Sequence, residues 1–165
     1  AVLSGVERGG ILSTCLGADG AHGNLITMPA GGSRMPASVE TVEKHLHCIT
    51  MNGTEVFKIA VKTMADAALE AMRALGIDSV NDVALIIPHQ ANIRIINAVA
   101  KRMGVAISEG KIYLNIEKYG NMSAASTAVA LAEAVKEGRA KQGDKVVLVS
   151  FGGGLTWGAV VVELS

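Results

Sequence analysis

His89 and Asn121 are the residues whose types could stabilise negative charge on a reacting oxygen. His89 lies in Ile86-Ile87-Pro88-His89-Gln90-Ala91-Asn92. This polar turn follows an apolar run, Val83 to Ile87, and precedes a helical pattern, Asn92 to Met103. Open α/β sheets collect ligand chemistry at the carboxyl ends of buried strands. Asn121 lies in a second such turn, Tyr119-Gly120-Asn121-Met122-Ser123. A neutral imidazole N–H and a carboxamide N–H are both donors for a developing oxyanion. Each residue also has a plainer reading: a histidine after a strand caps turns, and Gly-Asn is a common turn signal. The small residues Ser123-Ala124-Ala125-Ser126 open the next helix and would let a ligand approach the backbone closely.

Other candidates are weaker. Arg94 and Lys101 share a helical face, with Arg102 beside them. They read as a landing patch for an acidic partner or as a solvated face. Gly152-Gly153-Gly154 reads as a hairpin turn, with N–H groups open to a ligand. Cys15 sits in an apolar run and Cys48 follows a histidine-rich loop. Neither has the helix N-terminus or neighbouring cation that makes a thiolate. The histidines His22, His45, His47 and His89 are scattered, so no metal site is expected. Formal net charge is zero, which argues against nucleic acid as the main partner. No apolar run reaches the roughly 18 residues of a membrane span, and no signal-peptide pattern opens the chain. The expected location is the cytoplasm.

The elements that must position these residues follow from hydrophobic period. Aromatic residues are only 3% of the chain, so its core must be built from Ala, Val, Ile, Leu and Met. Ala1–Ser4 reads as a strand end and Gly9–Ala18 as a strand. Asp19–Met51 reads as a long loop with one helical turn near Val39–His45, and such a loop in a compact domain is usually functional. Gly53–Leu75 is the longest helical pattern, stopped by Gly76. Strands are predicted at Val83–Ile87, Lys111–Ile116, Lys145–Phe151 and Thr156–Leu164. Helices are predicted at Asn92–Met103 and Ser123–Glu137. This alternation implies one α/β domain, a sheet covered by helices and closed by an antiparallel hairpin.

Four strings carry a resemblance: Met51-Asn52-Gly53-Thr54-Glu55-Val56-Phe57-Lys58, Pro88-His89-Gln90-Ala91-Asn92-Ile93-Arg94-Ile95-Ile96, Tyr119-Gly120-Asn121-Met122-Ser123-Ala124-Ala125-Ser126, and Phe151-Gly152-Gly153-Gly154-Leu155-Thr156-Trp157-Gly158. In this order they resemble the C-terminal half of the β-ketoacyl-acyl-carrier-protein synthase III family, thiolase-fold enzymes that start type II fatty acid synthesis. The resemblance runs from Gly9 on. It implies a thiolase-like half with a mixed, mostly five-stranded sheet and helices packed on it. Residues 1–165 would form the C-terminal domain, without the N-terminal half that bears the catalytic cysteine.

The resemblance also implies roles. His89 and Asn121 match the histidine and asparagine of a Cys-His-Asn triad. Elongating ketoacyl synthases use two histidines, so Asn121 points to the initiating class. Gln90, Ala91, Asn92, Ile93 and Arg94 match a segment that contacts carrier protein and CoA. Met51, Gly53, Phe57, Phe151, Gly152 and Gly153 match the wall of the substrate tunnel. The implied reaction is acyl transfer, a decarboxylative condensation of an acyl-CoA, acetyl-CoA foremost, with malonyl-acyl-carrier protein. It needs no cofactor beyond these substrates. Implied partners are acyl carrier protein, CoA thioesters and, in the full-length enzyme, a second copy. The chain alone is expected to be inactive. Two alternatives stay open: a non-catalytic CoA- or carrier-binding module, and a polyketide-type synthase of the same fold.

Overall fold

A computed structural model describes residues 4–165. Ala1 to Leu3, most of the strand end expected at the start, lie outside the described residues, and Ser4 has no regular structure. The main sheet contains β1 (Gly10–Ala18), β4 (Leu85–Pro88), β5 (Lys145–Gly152) and β6 (Thr156–Glu163). Its order is β1-β6-β5-β4. β4 and β5 run parallel, while β5–β6 and β6–β1 are antiparallel, so the sheet is mixed.

Strand residues alternate between the two faces, as the pleat requires. Ile86, Val147 and Val149 face one buried cluster, with Met64, Ala68 and Met72 of α2 (Gly53–Arg73) and Ile96 and Val99 of α3 (Ile93–Arg102). Leu85, Ile87 and Val146 face a second, with Ala130 and Ala134 of α5 (Ala125–Lys136). Helices therefore cover both faces. α2 starts where the Asn52 side chain accepts from the Glu55 N–H at 3.3 Å. Its alanines bury a smooth stripe that lets the helix lie close on β6 and β5. It gives way after Ala74 to Gly76, which has the positive φ that suits glycine.

Two expectations need correction. Among the described residues the sheet has four strands, not five: Lys111–Ile116 makes only a single parallel bridge, Ile86 to Ile112, before α4 (Ile116–Tyr119) begins. Further pairing stops because the Asn115 and Ile116 N–H groups both donate to the Gln90 side chain, each at 3.1 Å. Asp19–Met51 has the helical turn expected near Val39–His45 but more regular structure besides. It holds a 3-10 turn at Gly20–Leu25, the short helix α1 (Val39–Glu43), and a two-stranded ribbon of β2 (Ile26–Thr27) and β3 (Thr50–Met51).

Candidate active site

The His89 turn is fixed by backbone first. The His89 N–H donates to Val149 O at 2.7 Å, which extends the β4–β5 ladder past Pro88. The Ala91 N–H then donates to His89 O at 2.8 Å. The Asn92 side chain caps α3 by accepting from the Arg94 N–H at 2.8 Å. His89 is left between strand and helix with its ring partly buried.

The Asn121 turn is built differently. Gly120 has φ 67° and Ser123 has φ 54°, so two residues here are left-handed. A left-handed serine is strained, and such strain collects at functional sites. The Asn121 Oδ1 accepts from the Ser123 N–H at 2.8 Å. That bond takes the acceptor end of the carboxamide and leaves its N–H donors for something else. Upstream, Glu133 of α5 accepts from Tyr119 at 2.6 Å and from Asn115 at 2.9 Å, and pairs with Lys118. The Lys118 ammonium, Tyr119 hydroxyl and Asn115 amide hold the Glu133 carboxyl well below the usual carboxylate range.

A chain of hydrogen bonds joins the two turns. The Ser126 hydroxyl lies 2.5 Å from His89 Nδ1 and 2.7 Å from Ser123 O. Ser123 is in turn bonded to Asn121. Ser126 is fully buried, so nothing else competes for its hydroxyl. Burial also pushes the His89 imidazole below the ordinary histidine pKa near 6.5, so the ring is neutral at pH 7. Sequence reading passed over Ser126 as one of several small residues. Its place three residues after Ser123, at a helix start, is the signal that was available.

His89, Ser123 and Ala124 line an open cavity of about 480 Å³ with Phe151, Gly152 and Trp157. Trp157 forms its wall by lying over Gly17 of β1, where an added Cβ would sit 2.3 Å from the indole. A larger hollow of about 590 Å³ lies among the loops of residues 23–35 and contains none of the expected site residues.

Of the expected tunnel residues, Phe151 and Gly152 reach the His89 cavity. Gly153 packs beside Ile26 of β2, and Met51 pairs with that same Ile26 across the ribbon. Met51, Gly53 and Phe57 do not line the cavity, and Met51 is exposed. The carrier segment divides. Asn92, Ile93 and Arg94 are exposed and Ala91 is half-buried. Gln90 requires a correction: its side chain is fully buried and cannot meet a carrier. It donates to Pro88 O at 2.8 Å and Tyr113 O at 3.2 Å while accepting from Asn115 and Ile116. Arg102 is taken by Asp66 at 2.9 Å, which narrows the basic patch to Arg94 and Lys101. Neither cysteine lines the cavity. Cys15 is half-buried on β1, where burial and Glu70 push its thiol up, and Cys48 is exposed in a loop. Among the described residues no group of three His, Cys, Asp or Glu is arranged to hold a metal. Among the described residues no helix is long and apolar enough to cross a membrane.

Residues 74–164 match the family described as 3-oxoacyl-[acyl-carrier-protein (ACP)] synthase III C terminal, more than half of the chain. The chain belongs to that family. A β-ketoacyl-[acyl-carrier-protein] synthase III of Clostridioides difficile (strain 630) is 55% identical over 99% of this chain and 49% of its own length. One from Desulfitobacterium hafniense (strain Y51) is 55% identical over the whole chain and 49% of its own length. The chain thus spans about half the length of the curated relatives it matches. Among solved structures, the 3-oxoacyl-[acyl-carrier-protein] synthase III of Aquifex aeolicus VF5 aligns with TM-score 0.80 and 39% identity, over 97% of this chain and 46% of that one. The Thermus thermophilus synthase III aligns with TM-score 0.81 and 40% identity, over 97% and 48%. The thiolase-like α/β fold expected of a synthase III C-terminal domain is therefore the fold observed.

Proposed function

We propose that this chain supplies the decarboxylation half of a ketoacyl synthase III active site. The observation that carries the reading is the bonded series His89–Ser126–Ser123–Asn121 beside an open cavity. A neutral imidazole N–H and the carboxamide N–H of Asn121 would both donate to the thioester oxygen of malonyl-acyl-carrier protein. Loss of carbon dioxide turns that thioester into an enolate, and the two donors stabilise its oxygen. The enolate carbon then attacks an acyl-cysteine formed from acetyl-CoA. That cysteine belongs to a segment outside these residues, since neither Cys15 nor Cys48 lines the cavity.

Under this reading Ala91 to Arg94, exposed or half-exposed at the start of α3, form the carrier-protein and CoA contact. Phe151 and Gly152 border the thioester, and Met51, Gly53, Phe57 and Gly153 belong to the more distant tunnel wall. The assembly is a cytoplasmic homodimer that uses no cofactor beyond its thioester substrates. Neither nucleic acid nor membrane enters the proposal.

The test is malonyl decarboxylation by the full-length protein carrying His89→Ala or Asn121→Ala. Removing one such donor lowers the rate by about 10²–10³. Decarboxylation at the parent rate in both variants would overturn the reading and favour a non-catalytic binding module.

A further inference from the structure

The Ser126 hydroxyl carries one proton and has two neighbours that could take it, His89 Nδ1 at 2.5 Å and Ser123 O at 2.7 Å. Each position of that proton dictates a different histidine. With the hydroxyl turned to the Ser123 carbonyl, its oxygen accepts from Nδ1–H and Nε2 keeps a bare lone pair. With the hydroxyl turned to Nδ1, that nitrogen accepts and the ring proton must sit on Nε2. The tautomer of a histidine is set by the bond its other nitrogen makes. Among the described residues, Ser126 is the only side chain bonded to the His89 ring, and Nε2 has no protein partner.

We propose that Ser126 is the positioning residue that sets the tautomer of His89, its hydroxyl turning to Nδ1 so that Nε2–H is presented to the cavity. This rests on the oxyanion role proposed above, because a neutral ring whose proton sits on Nδ1 has no Nε2 proton to donate. Interconversion moves one proton. Nδ1 releases it to water, Nε2 takes one from water, and the hydroxyl rotates between its two acceptors with no net change in charge. Ser126 never meets substrate in this scheme. It lies fully buried behind the ring and acts only through it.

The experiment compares the full-length parent with Ser126→Ala and Ser126→Thr, and uses His89→Ala as a reference. Ser126→Ala keeps a small buried side chain and removes only the hydroxyl. Malonyl decarboxylation should fall about tenfold in kcat with little change in KM, less than the about 10²–10³ expected on deleting a donor outright. Ser126→Thr restores the hydroxyl and should recover most of the loss. Histidine ¹⁵N shifts, assigned by loss of the His89 signal, read the tautomer without any activity. The parent should show Nε2–H as the main neutral form, and Ser126→Ala should shift the balance towards Nδ1–H. Parent-like kcat in Ser126→Ala, or a parent spectrum dominated by Nδ1–H, would overturn the proposal. If His89→Ala decarboxylates normally, the oxyanion reading fails, and the ¹⁵N comparison still decides whether Ser126 sets the tautomer.

Discussion

His89 is neutral because it is partly buried, and that has a consequence for stability. Burial holds its folded pKa below the ordinary value near 6.5. As pH falls through 6.5, the unfolded chain binds a proton at this site and the folded chain does not. The contribution is therefore complete above pH 6.5 and is lost as pH falls towards the folded pKa. His89→Gln removes this one source of acid sensitivity. Urea midpoints of parent and variant, measured from pH 7.5 to 5, should converge as pH falls. Midpoints that stay parallel over that range would show that His89 titrates alike in both states. The histidine was legible in the sequence because a polar residue directly after a buried run stands out. Ser126 was not, because a serine's value depends on which acceptors the fold brings within reach of one proton.

Between the His89 and Asn121 turns, Gln90 is the connector. Its amide uses both donor hydrogens and both acceptor positions, tying Pro88 and Tyr113 to Asn115 and Ile116. The β4 end that carries His89 is thereby fastened to the approach to α4, and α4 leads into Asn121. Gln90→Leu fills a similar volume and leaves four backbone groups without that partner. Each buried group left unpaired costs about 1–3 kcal/mol, so a loss of at least about 3 kcal/mol is expected by chemical denaturation. Gln90→Glu should be intermediate, since its carboxylate still accepts from Asn115 and Ile116. A loss under 1 kcal/mol in Gln90→Leu would mean that water or relaxation replaces the bracket. The same residue explains why Lys111–Ile116 read as a strand. Its apolar pattern is real, and Ile112 and Tyr113 are buried. What no local pattern reveals is that a side chain from another turn captures the two amides a strand would pair. The ribbon within Asp19–Met51 was hidden for a related reason: Ile26 and Met51 pair across a long loop that local periodicity does not span.

At the scale of the whole molecule, the cavity is open. Leu16, at its wall, is 82% exposed. Exposed apolar side chains around a cavity are what a covering surface would bury. The two cysteines cannot stand in for a nucleophile, for different reasons. Cys15 faces α2, where burial and the Glu70 carboxylate both favour the thiol over the reactive thiolate. Cys48 is exposed and does not line the His89 cavity. A polypeptide limited to these 165 residues should therefore bind no acetyl group covalently when mixed with acetyl-CoA, and intact mass should show no acetyl adduct. Adding a second polypeptide that contains the amino-terminal half of a synthase III should restore adduct formation on that partner and condensation with malonyl-acyl-carrier protein. An acetyl adduct on Cys15 or Cys48, with turnover by these residues alone, would overturn the division of labour between two halves. An adduct without turnover would instead mark Cys48 as a merely accessible thiol, because under the proposed function only a thioester held at the His89 cavity would meet the enolate.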